Sequence, residues 1–176
     1  NDSEAVRKEI EKGDVTAVIV EPIQGVGGLD EPTTEFLKEI RKITKENNVC
    51  LILDEVQTGF GRSGKFFAHQ YHGIKADIIP MAKGMGNGFP IGGVLISKHI
   101  ESWHGMLGTT FGGSHLACAA GIAVLDVIRK ENLMDNVVEI SEYFKKEVAN
   151  LPGVKKVKGK GLMLGLEFDF EVGDLR

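Results

Sequence analysis

Residues 15–20 and 49–53 are short apolar runs rich in β-branched side chains, and a helical pattern separates them. Runs this short, apolar without alternation, read as strands buried on both faces. Between them the spacing predicts a helix over 32–47, opened by Pro32, with Phe36, Leu37, Ile40 and Ile43 on one face. Strand, helix and strand in that order form a βαβ unit. Its strands must be parallel and its crossover right-handed, since a direct hairpin cannot return the chain in the same direction. The chain is therefore expected to be α/β, with a mostly parallel sheet flanked by helices.

The remaining segments extend this plan. Ser3 is placed to cap a short helix carrying Val6 and Ile10 that stops at Gly13. Residues 77–81 and 93–97 read as a third and a fourth strand, and residues 66–72 as a short helix. From Ser114 a helix runs to about Lys130. A second carries Leu133, Val137, Ile140, Phe144 and Val148 on one face and stops at Pro152-Gly153. Two strand-like pieces follow, 155–158 and 162–168. Residues 1–130 are read as part of one domain and 131–176 as the start of a smaller α+β lobe. Both ends look cut from something longer, because no Met opens the chain and it stops soon after a strand-like run.

Composition narrows the class. With 176 residues, 42% apolar and 26% charged, the chain can bury a core. Its net charge of −4 offers no basic face to nucleic acid or anionic lipid. No stretch is apolar for long enough to span a bilayer, and no signal peptide opens the chain. Cys50 and Cys118 read as buried free thiols in a reducing compartment, and a cytoplasmic location is expected. Gly accounts for 23 residues, many of them in three loops. Glycine concentrated in loops suits backbone that closely approaches a ligand.

The chemistry collects where the predicted strands end. In open α/β sheets, ligands sit beyond the carboxyl ends of the strands. The first strand ends at Glu21 and Gln24, the second at Asp54, Glu55 and Gln57, and the third at Lys83. Lys83 lies between the apolar Ile78-Ile79-Pro80-Met81 and the glycine-rich 84–93. Apolar walls would favour its neutral, nucleophilic form, as a Schiff-base lysine requires. The residues alone also allow a surface lysine in a glycine-rich turn, or a structural ion pair with a carboxylate. Other patterns carry less. Residues 59–64 match G-x-G-x-x-G, but no helix opens at their end, so a dinucleotide fingerprint is rejected. His69 and His72 have no third ligand at metal spacing and read as ordinary, partly exposed histidines. Neither a P-loop nor a serine nucleophile elbow occurs.

Four stretches in order carry a family resemblance: E-P-I-Q-G-V-G-G at 21–28, L-D-E-V-Q-T-G-F-G-R-S-G at 53–64, the Lys83 segment, and G-T-T-F-G-G-S-H-L-A-C at 108–118. Together they resemble the subgroup III (ornithine-type) aminotransferases that depend on pyridoxal 5'-phosphate. Within that group the likeness is to the members of arginine biosynthesis that act on acetyl- or succinylornithine. The resemblance implies the large-domain portion of the type I pyridoxal-phosphate fold and the start of its small C-terminal domain.

By position, the resemblance gives Lys83 the Schiff-base and proton-shuttling role. It gives Asp54 the carboxylate that pairs with the pyridine nitrogen. Gln57 corresponds to the amide bonding the ring's phenolic oxygen, and Val56 to the apolar residue packed on one ring face. Glu21 corresponds to a glutamate near the ring edge. Thr110 corresponds to a hydroxyl reaching the cofactor phosphate of the neighbouring subunit, which implies a homodimer with shared sites. The implied reaction transfers the terminal amine of an N-acylated ornithine to 2-oxoglutarate. The alternatives are another ω-amino acid aminotransferase, using 4-aminobutyrate, ornithine or a diamine, and an inactive dimerising fragment.

Two positions depart from the pattern. Val26 stands where ornithine-type members often carry a glutamate that pairs with a substrate-binding arginine. Ser114-His115 stands where Asn-Pro is frequent. The resemblance implies that the family's phosphate-cradling turn, ring-stacking aromatic and substrate-carboxylate arginine would fall before Asn1, and a further arginine after Arg176.

Overall fold

The computed structural model describes residues 1–173; residues 174–176 of the expected second lobe lie outside the described residues. The predicted βαβ unit is present. Strand β1 (Ala17–Val20) pairs in parallel with β2 (Cys50–Leu53), with Val20 opposite Leu53. Helix α2 (Thr34–Glu46) makes the crossover, and α1 (Ser3–Ile10) packs against it. Leu37, Ile40 and Ile43 of α2 are fully buried, as the 3.6-residue period requires. Each contributes about 1.5–3 kcal/mol of apolar burial. Leu37 and Ile40 pack with Leu51, Leu53 and Ile74 in one buried cluster, and Ile43 packs with Ile10 and Val49 in a second.

Both helix starts differ from the sequence expectation by a residue or two. Asp2 rather than Ser3 caps α1, its Oδ1 accepting from Ala5 N–H at 2.9 Å. Thr33 rather than Pro32 sets the start of α2, its Oγ1 accepting from Phe36 N–H at 3.1 Å. A side chain that can accept an orphan N–H decides the boundary.

Strand β3 (Ile78–Met81) joins β2 in parallel, and β4 (Gly93–Ile96) closes the order β1-β2-β3-β4 antiparallel to β3. The short link from β3 to β4 explains the reversal: residues 82–92 hold one 3-10 turn and no crossover helix. Among the described residues, β1 and β4 are the sheet's edges, and Ile19, Val94, Leu95 and Ile96 on them are exposed.

Helices α3 (His115–Lys130) and α4 (Leu133–Val148) meet at Glu131-Asn132, where Asn132 adopts φ +50°. Ile140 and Phe144, expected on the packed face of α4, stay exposed, because α4 packs mainly on α3 and on the start of a separate hairpin. Cys118 is exposed, contrary to expectation. The buried stripe of α3 runs through Ala117, Gly121 and Ile128, and Cys118 falls beside it. No helix among the described residues is long and apolar enough to cross a membrane.

That hairpin pairs β5 (Val154–Lys160) with β6 (Met163–Phe168) in a second sheet. Its tip docks on the loop after β2. Leu162 N–H donates to Arg62 C=O at 2.9 Å, and Gly161 sits directly on the Arg62-Ser63 backbone with φ +59°. A Cβ at Gly161 would lie 2.6 Å from Arg62 O, and backbone cannot move aside cheaply. Gly161→Ala in the full-length protein is therefore expected to lose about 2–3 kcal/mol of stability, from the strained φ and the overpacking together. Denaturant unfolding checks this through the midpoint at constant slope. A shift below about 0.5 kcal/mol would contradict the close approach.

Candidate active site

The three parallel strands end on one rim. Asp54 N–H donates to Val20 C=O at 2.9 Å, which sets Glu21 and Asp54 side by side. Glu55 N–H donates to Pro80 C=O at 3.1 Å, which brings the end of β3, three residues before Lys83, alongside the end of β2. Strand alternation then separates Asp54 from Glu55. Asp54 is half-buried and opens onto a cavity of about 730 Å³ shared with Glu21 and Gln24, whereas Glu55 points into the protein and is fully buried.

Asp54 Oδ1 accepts from the N–H of the half-buried Val56 at 2.9 Å. It forms no ion pair with Lys83 or with any other cation among the described residues. The lysine instead donates from Nζ to Gln57 Oε1 at 3.1 Å. Glu21 Oε2 accepts from Gly25 N–H at 2.9 Å. Gly25 lies between the two halves of the rim, and a Cβ there would collide with Gln57 Oε1 and lie 3.5 Å from Glu21 Oε2. Glycine is required at that point because two side chains of the rim close over its backbone.

Lys83 opens onto a larger cavity of about 900 Å³, bordered by Gln57, Phe60, Arg62, Val127 and Leu162. Six described non-glycine residues have positive φ, and four of them, Leu29, Phe60, Lys83 and Asn87, line this one cavity. Lys83 itself has φ +46°. A lysine gains nothing intrinsic from that region, so the surrounding turn must hold it there, and such strain gathers at functional sites. The side chain is exposed, and the apolar walls expected from the sequence do not enclose it. The flanking Ile78 and Ile79 are spent on the sheet.

Thr110 is exposed on the segment between β4 and α3 and makes no hydrogen bond to the rim residues. Val26 is fully exposed at the tip of the loop after β1. Lys158–Asp30 and Lys160–Glu31 ion pairs, at 3.0 and 2.7 Å, tie the end of that loop to β5. His69 and His72 are buried rather than partly exposed. His69 Nδ1 is 2.8 Å from Glu55 Oε1, and His72 Nδ1 is 2.9 Å from Thr34 Oγ1. Burial, then the nearby Lys160 charge, pushes the His72 pKa down, against a smaller opposing pull from Glu31. Residues 59–64 form turns and no helix opens at their end, as expected. Arg62 within them borders the same cavity as Lys83, a placement the linear sequence did not reveal because it depends on the hairpin docking.

The family described as aminotransferase class-III matches residues 1–174. The acetylornithine aminotransferase of Aquifex aeolicus is 45% identical over 176 residues, covering 99% of this chain and 46% of that protein. An S-selective transaminase from Arthrobacter sp. superposes with a TM-score of 0.86 at 36% identity, covering 95% of this chain and 39% of that one. The ornithine aminotransferase of Toxoplasma gondii, whose structure shows partial occupancy of PLP at its active site, gives 0.85 at 30% identity, covering 96% and 41%. The chain spans under half the length of the curated relatives it matches.

Proposed function

Since the chain belongs to the class-III aminotransferases, we propose that the whole protein moves the terminal amine of an N-acylated ornithine onto 2-oxoglutarate, with pyridoxal 5'-phosphate as cofactor. The amine leaves as that of glutamate, and the donor carbon, oxidised by two electrons, becomes an aldehyde whose oxygen comes from water, while the oxo carbon of 2-oxoglutarate is reduced. One observation carries the reading: the carboxylate of Asp54 and the strained Lys83 follow adjacent parallel strands, and Gln57, three residues after Asp54, accepts from Lys83 Nζ.

The residues present fit this cofactor. Asp54 has an acceptor oxygen without a cation among the described residues, and Lys83 offers a primary amine. When bound, pyridoxal phosphate supplies an aldehyde carbon and an aromatic ring that accepts the electron pair left when a C–H bond breaks. Asp54 would hold a proton on the ring nitrogen, because a carboxylate there favours the charged pyridinium. Lys83 Nζ would take the proton from the substrate carbon and return it. Gln57 would orient the ring through its oxygen substituent, Val56 would pack on one face, and Glu21 would border the edge. Thr110, exposed and not hydrogen-bonded to this chain's rim residues, would reach the phosphate bound by a second copy in a homodimer. Residues 131–176 would begin the smaller lobe covering the site. Val26 cannot pair with a guanidinium, so a switch in which a glutamate holds and releases a substrate-binding arginine cannot operate in the same way at this position.

Donor competition tests the reading. For full-length protein with 2-oxoglutarate, kcat/KM for N-acetylornithine or N-succinylornithine is expected to exceed that for ornithine and 4-aminobutyrate by about tenfold or more. Preference for ornithine, which the likeness to the Toxoplasma enzyme favours, would replace the acylated donor with the free one.

A further inference from the structure

We propose that Glu55 is a positioning residue that fixes the Asp54–Gln57–Lys83 rim; the role rests on the functional reading above. The carboxylate is fully buried, and both of its oxygens are used. Oε1 accepts from His69 N–H and faces His69 Nδ1, each at 2.8 Å. Oε2 accepts from Ala68 N–H at 2.9 Å and from Thr58 Oγ1. A buried carboxylate needs this many donors, and each donor fixes a segment in return. Side-chain bonds hold the turn at 58 and the 3-10 turn over Ala68–Tyr71, and the backbone N–H holds β3 at Pro80. Asp54 and Gln57 flank this anchor and have no comparable one of their own.

A second path runs from the same anchor toward Lys83. The His69 ring stacks on Phe67 with centroids 5.6 Å apart, Phe67 meets Phe66 edge-on at 4.8 Å, and Phe66 tilts against Phe60 at 5.0 Å. Phe60 Cβ lies 3.3 Å from where a Cβ of Gly84 would be, next to Lys83. Gly59 completes the packing: a Cβ there would lie 2.8 Å from Glu55 O and 3.4 Å from the Phe67 ring. The strained backbone of Lys83 is thus braced through an aromatic ladder that ends on the Glu55–His69 pair. Loss of the pair would let the rim relax by fractions of an ångström, enough to weaken catalysis without removing a group that touches substrate.

The test uses the full-length protein with its cofactor. Glu55→Gln keeps the shape but turns one acceptor oxygen into an NH₂ group facing other donors. The expected result is a fall in kcat of about 10- to 100-fold with KM for the donor changed less than about twofold. The pH midpoint of the bound cofactor's visible absorption band should move as well. His69→Ala should behave like Glu55→Gln, whereas His69→Asn, whose amide N–H can replace Nδ1–H, should restore the wild-type band. If Glu55→Gln lowers only the thermal midpoint and leaves kcat and the band unchanged, the residue is scaffold and the proposal is overturned. Should Glu55→Gln not fold, Thr58→Val removes a single donor and is read by the same band: a shifted midpoint supports the proposal and an unchanged one overturns it. A wild-type protein lacking any cofactor band would instead sink the functional reading, an outcome distinct from variants that fail to move the band.

Discussion

Replacing Lys83 by alanine in the full-length protein is expected to lower kcat by on the order of 10³-fold or more, because one amine would act both as nucleophile and as proton carrier. The structure limits rescue from elsewhere. Among the described residues bordering the cavity, Lys83 is the one primary amine, and Arg62 is a guanidinium. The fold should survive the change. Lys83 is exposed, and among the described residues its side chain hydrogen-bonds only to Gln57. Alanine at φ +46° meets the same backbone strain that lysine does. Borohydride reduction followed by peptide mass mapping checks the assignment directly. Wild type should carry a pyridoxyl group on the Lys83 peptide, and Lys83→Ala should carry none. Normal turnover in the variant would end the case for this lysine.

Asp54→Asn should cost about 10²- to 10³-fold in kcat at nearly unchanged stability. Asparagine keeps an oxygen able to accept from Val56 N–H, so the turn after β2 has no reason to open. What disappears is the negative charge, and with it the preference for a protonated ring nitrogen. The loss should therefore fall on kcat rather than on donor KM, since the ring must accept electrons only as the C–H bond breaks. Activity near wild type in the asparagine variant would refute the electron-sink role. The two variants also differ in what they retain: Asp54→Asn should still be trapped by borohydride on Lys83.

Much of the fold was legible because short buried strands and one amphipathic helix have few alternative assemblies. The apolar runs at 15–20 and 49–53 became β1 and β2, and the predicted face of α2 is the buried face. The rim was legible for the same reason, since parallel strands present their carboxyl ends together. Three features were not. The sense of β4 depends on the short turn-rich link before it, and apolar content does not report direction. The burial of His69 and His72 depends on contacts with Glu55 and Thr34, distant in sequence. Glu55 was placed beside Asp54 on the rim, although the alternation of a strand already sends one of two adjacent carboxylates inward. Period two, applied past Leu53, was the signal that could have separated them.

The open edges of the four-stranded sheet have a practical consequence. Two strands with unpaired backbone and apolar side chains, Ile19 on one and Val94, Leu95 and Ile96 on the other, are templates for strand addition. Residues 1–176 expressed by themselves would be prone to self-association and precipitation, with misfolded aggregates competing against the native sheet. Sequence added beyond this span that pairs with those strands would act as an intramolecular chaperone, converting two sticky borders into interior ladder.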